Sequence, residues 1–539
     1  MSPRELICKM KAYIQPFERR LALMELEAVS DAQPVPEPSL LDESLVYQVI
    51  TSRSLDHLAD ALAYWEIISS TAAANGRYTR QIRREATVNV VRNGIAPAQL
   101  KSLFPFDGKT ICIPNRRVLR YGPHGAHEYR GKFFPQLVRA LLNIAEVKRG
   151  DVVLDPLCGS GTTPVEASLL GCRALGIDWN PLSVLMSRAK CAILGSSPEI
   201  LVDAYESLRA NMLKTRKAGS ASSWLGRLPE KDRVYLASWF SSQALADLDL
   251  IAVHVHATQD EACRDLFRLC LSNILRPVSW QKDSDLRVRK EIRPDSNTDV
   301  IGGFITELSR TVRTVLAFLY ENSAFEPGPA QIIEDDARSL AANRRLSQLK
   351  GKVTAIVTSP PYATALPYLD TDRLSLCYLG LLPRPEHRAR DYEMIGNREI
   401  TEKRRLAYWS YYHQHRSDLP SDIQAVIDRI HRLNESGEVG FRRRNVATLL
   451  ARYFFDMRQV FQNIALLLKP GAPAYVVTGN NHTIAGGQRI DIETDRLLGL
   501  IGQSVGLTLE QTIPMEMLVS RDIFKKNAVA SETILCFRR

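Results

Sequence analysis

Two short stretches carry residue types whose order could support chemistry. The first is Asp155-Pro156-Leu157-Cys158-Gly159-Ser160-Gly161-Thr162-Thr163. Its glycines let the backbone turn sharply and approach a ligand with no Cβ in the way. A helix starting there presents unpaired N–H groups to an anionic group such as a carboxylate. The stretch lacks the Gly-Lys-Ser/Thr of a phosphate loop, and Pro164 stands where a dinucleotide fingerprint has its third glycine. The second stretch is Thr358-Ser359-Pro360-Pro361-Tyr362. Consecutive prolines stiffen a loop and supply no N–H, so the carbonyl before them is left free to accept. A serine hydroxyl and a rigid carbonyl, both accepting from an exocyclic NH2, would draw its nitrogen toward sp3 character and free the lone pair. The Tyr362 ring offers a stacking face for a base turned out of its helix.

Two acidic positions extend this set. Asp178 follows the glycine loop at the end of a second apolar run. A carboxylate there either accepts both ribose hydroxyls of a nucleoside cofactor or caps the next helix. Trp179 beside it offers a packing surface for adenine. In Glu334-Asp335-Asp336-Ala337-Arg338, Asp336 is either an acceptor for an adenine amino group or part of a solvated acidic turn. His254-Val255-His256, His413-Gln414-His415 and the pair His124 and His127 lack a matching Cys or carboxylate spacing, so they read as surface histidines and no metal is expected. The chain has no Pro-Cys dipeptide, which argues against a covalent cysteine attack on a pyrimidine ring.

The elements around these residues are those of a doubly wound α/β fold. Asp151 to Asp155 is a short buried strand, Thr162 to Leu170 a helix, and Arg173 to Asp178 a second strand after Gly171. The alternation resumes only at Gln331-Ile332-Ile333 and Val353 to Val357. Such a connection normally takes only a few residues beyond its helix, so the segment from Cys191 to Pro329 is an inserted subdomain. It reads as helical over Ala237 to Ala257 and Glu261 to Ile274, and ends in a basic stretch with Lys282, Arg287, Arg289, Lys290 and Arg293.

A second irregular region is rich in arginine and aromatics, including Arg404, Arg405, Tyr408, Trp409, Tyr411, Tyr412 and Arg442-Arg443-Arg444. Both basic stretches read either as solvated faces or as phosphate contacts. Leu450, Phe454, Met457, Phe461, Ile464 and Leu468 step by four and three, which predicts a helix. Ala474 to Thr478 reads as a strand, and Leu507 to Met517 with Glu532 to Phe537 as a terminal antiparallel pair. The first hundred residues read as mostly helical, with helical spacing from Leu45 to Ile68 and a short strand at Thr110 to Pro114.

The expected division is an N-terminal helical extension (1–120), a first part of the core (121–190), an inserted helical subdomain with a basic stretch (191–330), and a second part of the core (331–539) that contains a basic and aromatic insertion (363–445). The chain has 539 residues, 45% of them hydrophobic and 24% charged, which suits a globular protein of more than one unit. Lysine and arginine exceed the acids by 70 to 60, a balance that suits a polyanionic partner. The nine cysteines form no CxxC pair, which fits a reducing cytoplasm rather than a disulfide scaffold. The N-terminus lacks the apolar stretch of a signal peptide, and no run is long enough to predict a membrane span.

Taken together, DPLCGSGTT and TSPPY resemble the amino-methyltransferases of DNA, which modify cytosine N4 or adenine N6. The resemblance covers about Tyr121 to Lys190 and Gln331 to Arg539. Serine before Pro-Pro-Tyr is closer to the N4-cytosine members; adenine members more often carry Asp or Asn there. The resemblance implies a Rossmann-like methyltransferase sheet with a terminal antiparallel strand, S-adenosyl-L-methionine as cofactor and double-stranded DNA as partner. It leaves open whether a restriction endonuclease accompanies the enzyme. By match, Asp155, Pro156, Gly159, Ser160, Gly161, Thr162, Thr163, Asp178, Trp179, Asp336 and Ala337 would hold the cofactor. Phe133 and Pro135 belong to a segment that resembles the one covering its methionine end. Ser359, Pro360, Pro361 and Tyr362 would hold the flipped base for direct, in-line methyl transfer. Adenine N6 methylation, RNA amino-methylation and a catalytically silent DNA-binding protein are the other readings.

Overall fold

The computed structural model describes residues 3–38, 44–71, 76–92, 95–104, 112–129, 131, 133–218, 223–282, 289–292, 299–363, 368–435, 440–516 and 531–539. Its N-terminal part holds strands β1 (Arg4–Met10), β2 (Val35–Pro36), β3 (Val46–Thr51), β4 (Trp65–Ser70) and β5 (Arg77–Tyr78) in the order β2-β3-β1-β4-β5, every pair antiparallel. Helices α1 (Pro16–Ser30), α2 (Leu55–Ala61) and α3 (Arg80–Arg92) accompany this sheet. The extension is therefore not purely helical: Leu45 to Ile68, with its helical spacing, is strand, short helix and strand. Leu6, Cys8 and Met10 are buried alternately along β1, the period of a strand with one face on a core. Of the expected strand at Thr110 to Pro114, residues 110 and 111 lie outside the described set, and 112–114 have no regular structure.

The core is a seven-stranded sheet of β6 (Val152–Asp155), β7 (Arg173–Asp178), β8 (Ala330–Glu334), β9 (Ala355–Thr358), β10 (Pro473–Gly479), β13 (Thr508–Glu516) and β14 (Ser531–Arg538). A separate hairpin, β11 (Asn481–Ala485) with β12 (Gln488–Ile492), lies between β10 and β13 in the chain. The order β13-β14-β10-β9-β6-β7-β8 is parallel from β8 to β10, and β14 runs antiparallel to both of its neighbours. This is the doubly wound sheet with a terminal antiparallel strand that the motifs imply. Its order reverses between β6 and β9, and ligands of open α/β sheets bind at the carboxyl ends of strands flanking such a switch point.

Alternating strand residues feed two cores. Val153, Ala174, Ala355, Val357 and Val477 face helix α4 (Pro135–Ile144) and the N-terminal unit. Leu154, Leu175, Ile356, Ala474 and Val476 face the long helix Val446–Leu467, on which Leu450, Phe454, Met457, Phe461 and Ile464 are buried as their spacing predicts. Helix α5 (Thr162–Leu169) follows the glycine loop, and α6 (Pro181–Ala192) follows β7. The inserted segment is helical: α7 (Pro198–Ala218), α8 (Glu230–Ala237), α9 (Ser242–His256), α10 (Glu261–Val278) and α11 (Val300–Glu321) share one core with α6. Among the described residues no helix is long and apolar enough to cross a membrane.

Candidate active site

A cleft opens at the ends of β6 and β9. Leu157 to Ser160, in the loop that follows β6, form its floor. Gly159 (φ 48°) and Gly161 (φ 83°) lie in left-handed backbone, where a side chain is strained. A Cβ on Gly161 would sit 2.7 Å from Ser187 Oγ and 2.8 Å from Ser187 Cα, so the turn closes only with glycine. Ser187 Oγ donates to the Gly159 carbonyl at 2.8 Å, and the buried Lys190 Nζ to the Ser160 carbonyl at 2.8 Å. The loop is thereby tied to α6. Ser160 Oγ is buried and has no hydrogen-bond partner.

Asp178, at the tip of β7, accepts from Gly159 N–H and Asn180 N–H, each at 2.8 Å. Burial raises its carboxyl to about 6 against those backbone donors. It does not cap the following helix. That is done by Asn180, whose side chain accepts from Leu182 N–H at 3.0 Å and donates to Asp372 at 2.9 Å.

Behind the floor, Asp155 is fully buried and lifted to about 7 by that burial. Its Oδ1 accepts from Thr358 Oγ1 at 2.6 Å, and Thr163 Oγ1 donates to the Val357 carbonyl at 3.0 Å. These two bonds lock the glycine loop to the strand that carries Ser359-Pro360-Pro361-Tyr362. All four of those residues line the same cleft as Gly159, Ser160, Thr162, Asp178, Trp179, Asp336, Ala337 and Phe133. Pro135, Asp155, Pro156, Gly161 and Thr163 do not line it; they shape it from behind.

Several further residues, given no role from the sequence alone, also line the cleft. Tyr129 and Gly131 form one wall, Leu157, Cys158, Asn180 and Asp335 add to the floor, and Glu393, Met394 and Ile395 close the far side. The Tyr362 hydroxyl hydrogen-bonds to Glu532 on β14, whose carboxyl is pushed up by burial. Gly396 (φ 76°) packs where a Cβ would lie 3.2 Å from Pro361 Cβ and the Tyr362 carbonyl. Asp336 reaches the cleft, but its carboxylate is occupied by Arg338, which donates from its backbone N at 2.9 Å and from Nη2 at 2.6 Å.

None of the described basic candidates lines the cleft. Lys282 and Arg289 pair through their backbones at 2.9 Å, and the Lys290 ammonium lies 5.1 Å from the Trp280 ring centre. Arg287 and Arg293 are outside the described residues. Arg404 stacks at 4.2 Å over Tyr392, and Arg405 pairs with Glu402. Arg442, Arg443 and Arg444 are exposed on a short helix, Phe441–Arg444. The histidines are not all superficial. His124 is buried and bonded to Glu166 at 2.8 Å, and His256 stacks on Trp224 at 3.8 Å. Among the described residues no group of three or more His, Cys, Asp or Glu is arranged to hold a metal ion.

Known proteins that resemble this chain are methyltransferases. Residues 126–194 match a family model described as an RMKL-like methyltransferase domain. The chain is 24% identical over 409 residues to the Type II methyltransferase M.BsoBI of Geobacillus stearothermophilus, covering 68% of this chain and 77% of that one. It is 24% identical over 269 residues to the Type II methyltransferase M.MvaI of Kocuria varians, covering 48% of this chain and 58% of that one. A shorter match, 47% identical over 88 residues, links 16% of the chain to 26% of the tRNA (guanine(10)-N2)-dimethyltransferase of Methanothermobacter thermautotrophicus. Among solved structures, TrmN from Thermus thermophilus aligns over 99% of both chains at 11% identity with a TM-score of 0.32. The long, low-identity likenesses to Type II enzymes support the DNA amino-methyltransferase family to which the motif pair points.

Proposed function

We propose that the protein transfers a methyl group from S-adenosyl-L-methionine to an exocyclic amino group in DNA, with cytosine N4 as the target. The observation that carries this reading is the hydrogen-bonded union of the glycine loop and the Ser359–Tyr362 loop in one cleft. The floor fits the cofactor chemically: Ser160 Oγ is an unmatched buried hydroxyl, and the Asp178 carboxylate, which accepts from backbone N–H groups of Gly159, Trp179 and Asn180, is an acceptor-only group facing the cleft. Ser160 and the start of α5 would take the carboxylate of the methionine end, with Phe133 and Tyr129 beside it. Asp178 would accept the ribose hydroxyls, and Trp179 with the Asp335–Ala337 turn would take the adenine. When bound, the cofactor supplies an electrophilic methyl group.

The chain's own part is then to align and to accept. Tyr362 offers the stacking face for the flipped base, held by its bond to Glu532. Ser359 Oγ and the carbonyl at the start of the Pro-Pro pair accept from the base NH2 and free its lone pair. The amine attacks in line and sheds its proton afterwards. Rate comes from alignment and rigid acceptors. Lys282, Arg287, Arg289, Lys290, Arg404, Arg405 and Arg442 to Arg444 are proposed contacts to the DNA backbone, and residues 191–330 are a proposed subdomain at that interface.

The likeness of one short segment to tRNA guanine-N2 enzymes favours RNA as the second reading. The test is incubation of the purified protein with tritiated S-adenosylmethionine and either unmethylated genomic DNA or total tRNA, followed by nucleoside chromatography. Label in N4-methylcytosine is the expected result. Label in N6-methyladenine or only in tRNA moves the substrate, and no label in either, together with no cofactor binding, overturns the reading.

A further inference from the structure

The segment 387–395 belongs to the basic and aromatic insertion, yet its contacts face the cleft. The helix His387–Glu393 brings the Arg390 guanidinium to 4.0 Å from the Trp179 ring centre. Arg390 Nη1 also donates to the Trp179 carbonyl and to Glu334 Oε1, each at 2.8 Å. The next three residues, Glu393, Met394 and Ile395, line the cleft. Their far end is held elsewhere: the Glu393 carbonyl accepts from Arg338 Nη2 at 2.8 Å and the Met394 carbonyl from Arg452 Nη2 at 3.4 Å.

These two attachments differ in strength. Arg338 is also bound to Asp336, which is partly exposed, and, at 2.9 Å, to the buried Asp456; one such hub holds several groups at once. At the other end a single arginine bridges to Glu334, whose side chain is 40% exposed, and such pairs contribute little on their own. The contact that holds this end is the planar stack on Trp179. A guanidinium seated over an indole face is worth about two- to fivefold in an equilibrium even where water reaches it.

We propose that residues 387–395 form a strap over the adenosine end of the cleft, with Arg390 as the positioning residue that clamps it by seating on Trp179. The strap opens at the Arg390 end and pivots on Arg338. The proposal rests on the cofactor reading above and assigns Arg390 to cofactor retention rather than to DNA phosphate contact.

The experiment compares the wild-type protein, Arg390→Ala, Arg390→Lys and Glu334→Gln. It measures the affinity and dissociation rate of S-adenosylhomocysteine, the melting temperature without ligand, and DNA affinity at several salt concentrations. Arg390→Ala should dissociate the ligand roughly three- to thirtyfold faster with DNA affinity and its salt dependence unchanged. Arg390→Lys, which keeps the charge without the plane, should not restore retention fully. Glu334→Gln loosens the clamp from outside the cleft and should shift dissociation about two- to threefold in the same direction, even if Arg390→Ala does not fold. Unchanged dissociation in all variants of a protein that binds the ligand overturns the strap alone. A loss confined to DNA affinity with a shallower salt slope makes Arg390 a phosphate contact and also overturns it. A wild-type protein that binds no S-adenosylhomocysteine overturns the cofactor reading, and the strap with it.

Discussion

Asp178→Asn tests the cofactor floor through two readouts at once. In the native site the two carboxylate oxygens divide the work, Oδ2 accepting from Gly159 N–H and Oδ1 from Asn180 N–H. Asparagine has one acceptor oxygen, so one of those N–H groups would face an NH2. A buried donor left without an acceptor costs about 1–3 kcal/mol, and each lost hydrogen bond from a hydroxyl to a charged acceptor costs about as much again. Cofactor affinity should therefore fall at least tenfold, and by up to about a thousandfold.

The second readout is pH. Burial lifts the Asp178 carboxyl to about 6, and hydroxyl donors from a ribose favour its ionised form, so binding is coupled to loss of a proton. Wild-type affinity should be level above pH 6 and fall toward tenfold per unit below it. Asp178→Asn should remove that slope. Asp155, raised to about 7, titrates behind the loop in both proteins, so the difference between them isolates Asp178. Calorimetric titration with S-adenosylmethionine at pH 5, 6, 7 and 8 measures both quantities. Equal wild-type affinity at pH 5 and 8, or unaltered binding by the variant, would refute the assignment of the ribose to Asp178.

Other perturbations separate the remaining roles. Ser359→Ala should lower turnover on the order of a hundredfold while cofactor affinity holds, because it removes an acceptor that acts only on the amine; single-turnover kinetics check this. Tyr362→Phe and Glu532→Ala break one bond from opposite ends, so their effects on turnover in a double-mutant cycle should not add, whereas additive losses would mean that the bond does not position the ring. Gly161→Ala should lower both melting temperature and cofactor affinity, since left-handed backbone costs about 1–2 kcal/mol and the new methyl meets Ser187. Glu25 is fully buried and raised to about 7 by burial, despite hydrogen bonds from Asn143 and from the Ala63 and Tyr64 amides. Its folded value lies above its unfolded one, so its stabilisation is complete at acid pH and is lost as pH rises through about 7. Urea unfolding at pH 5 to 8 should show this decline in the wild type and a shallower one in Glu25→Gln.

What was legible in the sequence is what is local. The strand, glycine turn, helix and strand from Val152 to Asp178 read correctly because four consecutive elements carry their own period and punctuation. The helix Val446–Leu467 did so because five apolar residues, Leu450 to Ile464, repeat at steps of four and three. The N-terminal sheet was hidden because its pattern is ambiguous: between Leu45 and Ile68 the apolar positions satisfy a helical spacing as well as two strands around a single two-turn helix. A strand signal did exist in the alternation of Leu6, Cys8 and Met10. The partners of cleft residues that escaped notice are non-local. Glu532 lies 170 residues from Tyr362, and Arg390 lies 211 from Trp179. Asp336 shows the converse limit: its position was legible, but its side-chain direction was set by Arg338 two residues further on.

The bonds behind the cleft explain why two motifs separated by about two hundred residues act as one site. A methyl transfer needs donor and acceptor held within a few tenths of an ångström, and loops alone rarely supply that. Here the Asp155–Thr358 and Thr163–Val357 bonds join the two loops at their roots, where both strands are buried and parallel neighbours in the sheet. Any shift of the glycine loop is therefore passed to Ser359, one residue beyond Thr358. Thr358 should accordingly behave as a residue of alignment: Thr358→Val keeps its volume but takes from Asp155 Oδ1 its hydroxyl donor, leaving the Leu157 amide at 3.1 Å on that oxygen. Losing a hydrogen bond to a buried carboxylate costs about 1.5–3 kcal/mol. That loss should appear in turnover more than in the binding of either ligand alone, because each half-site stays intact while their registration loosens.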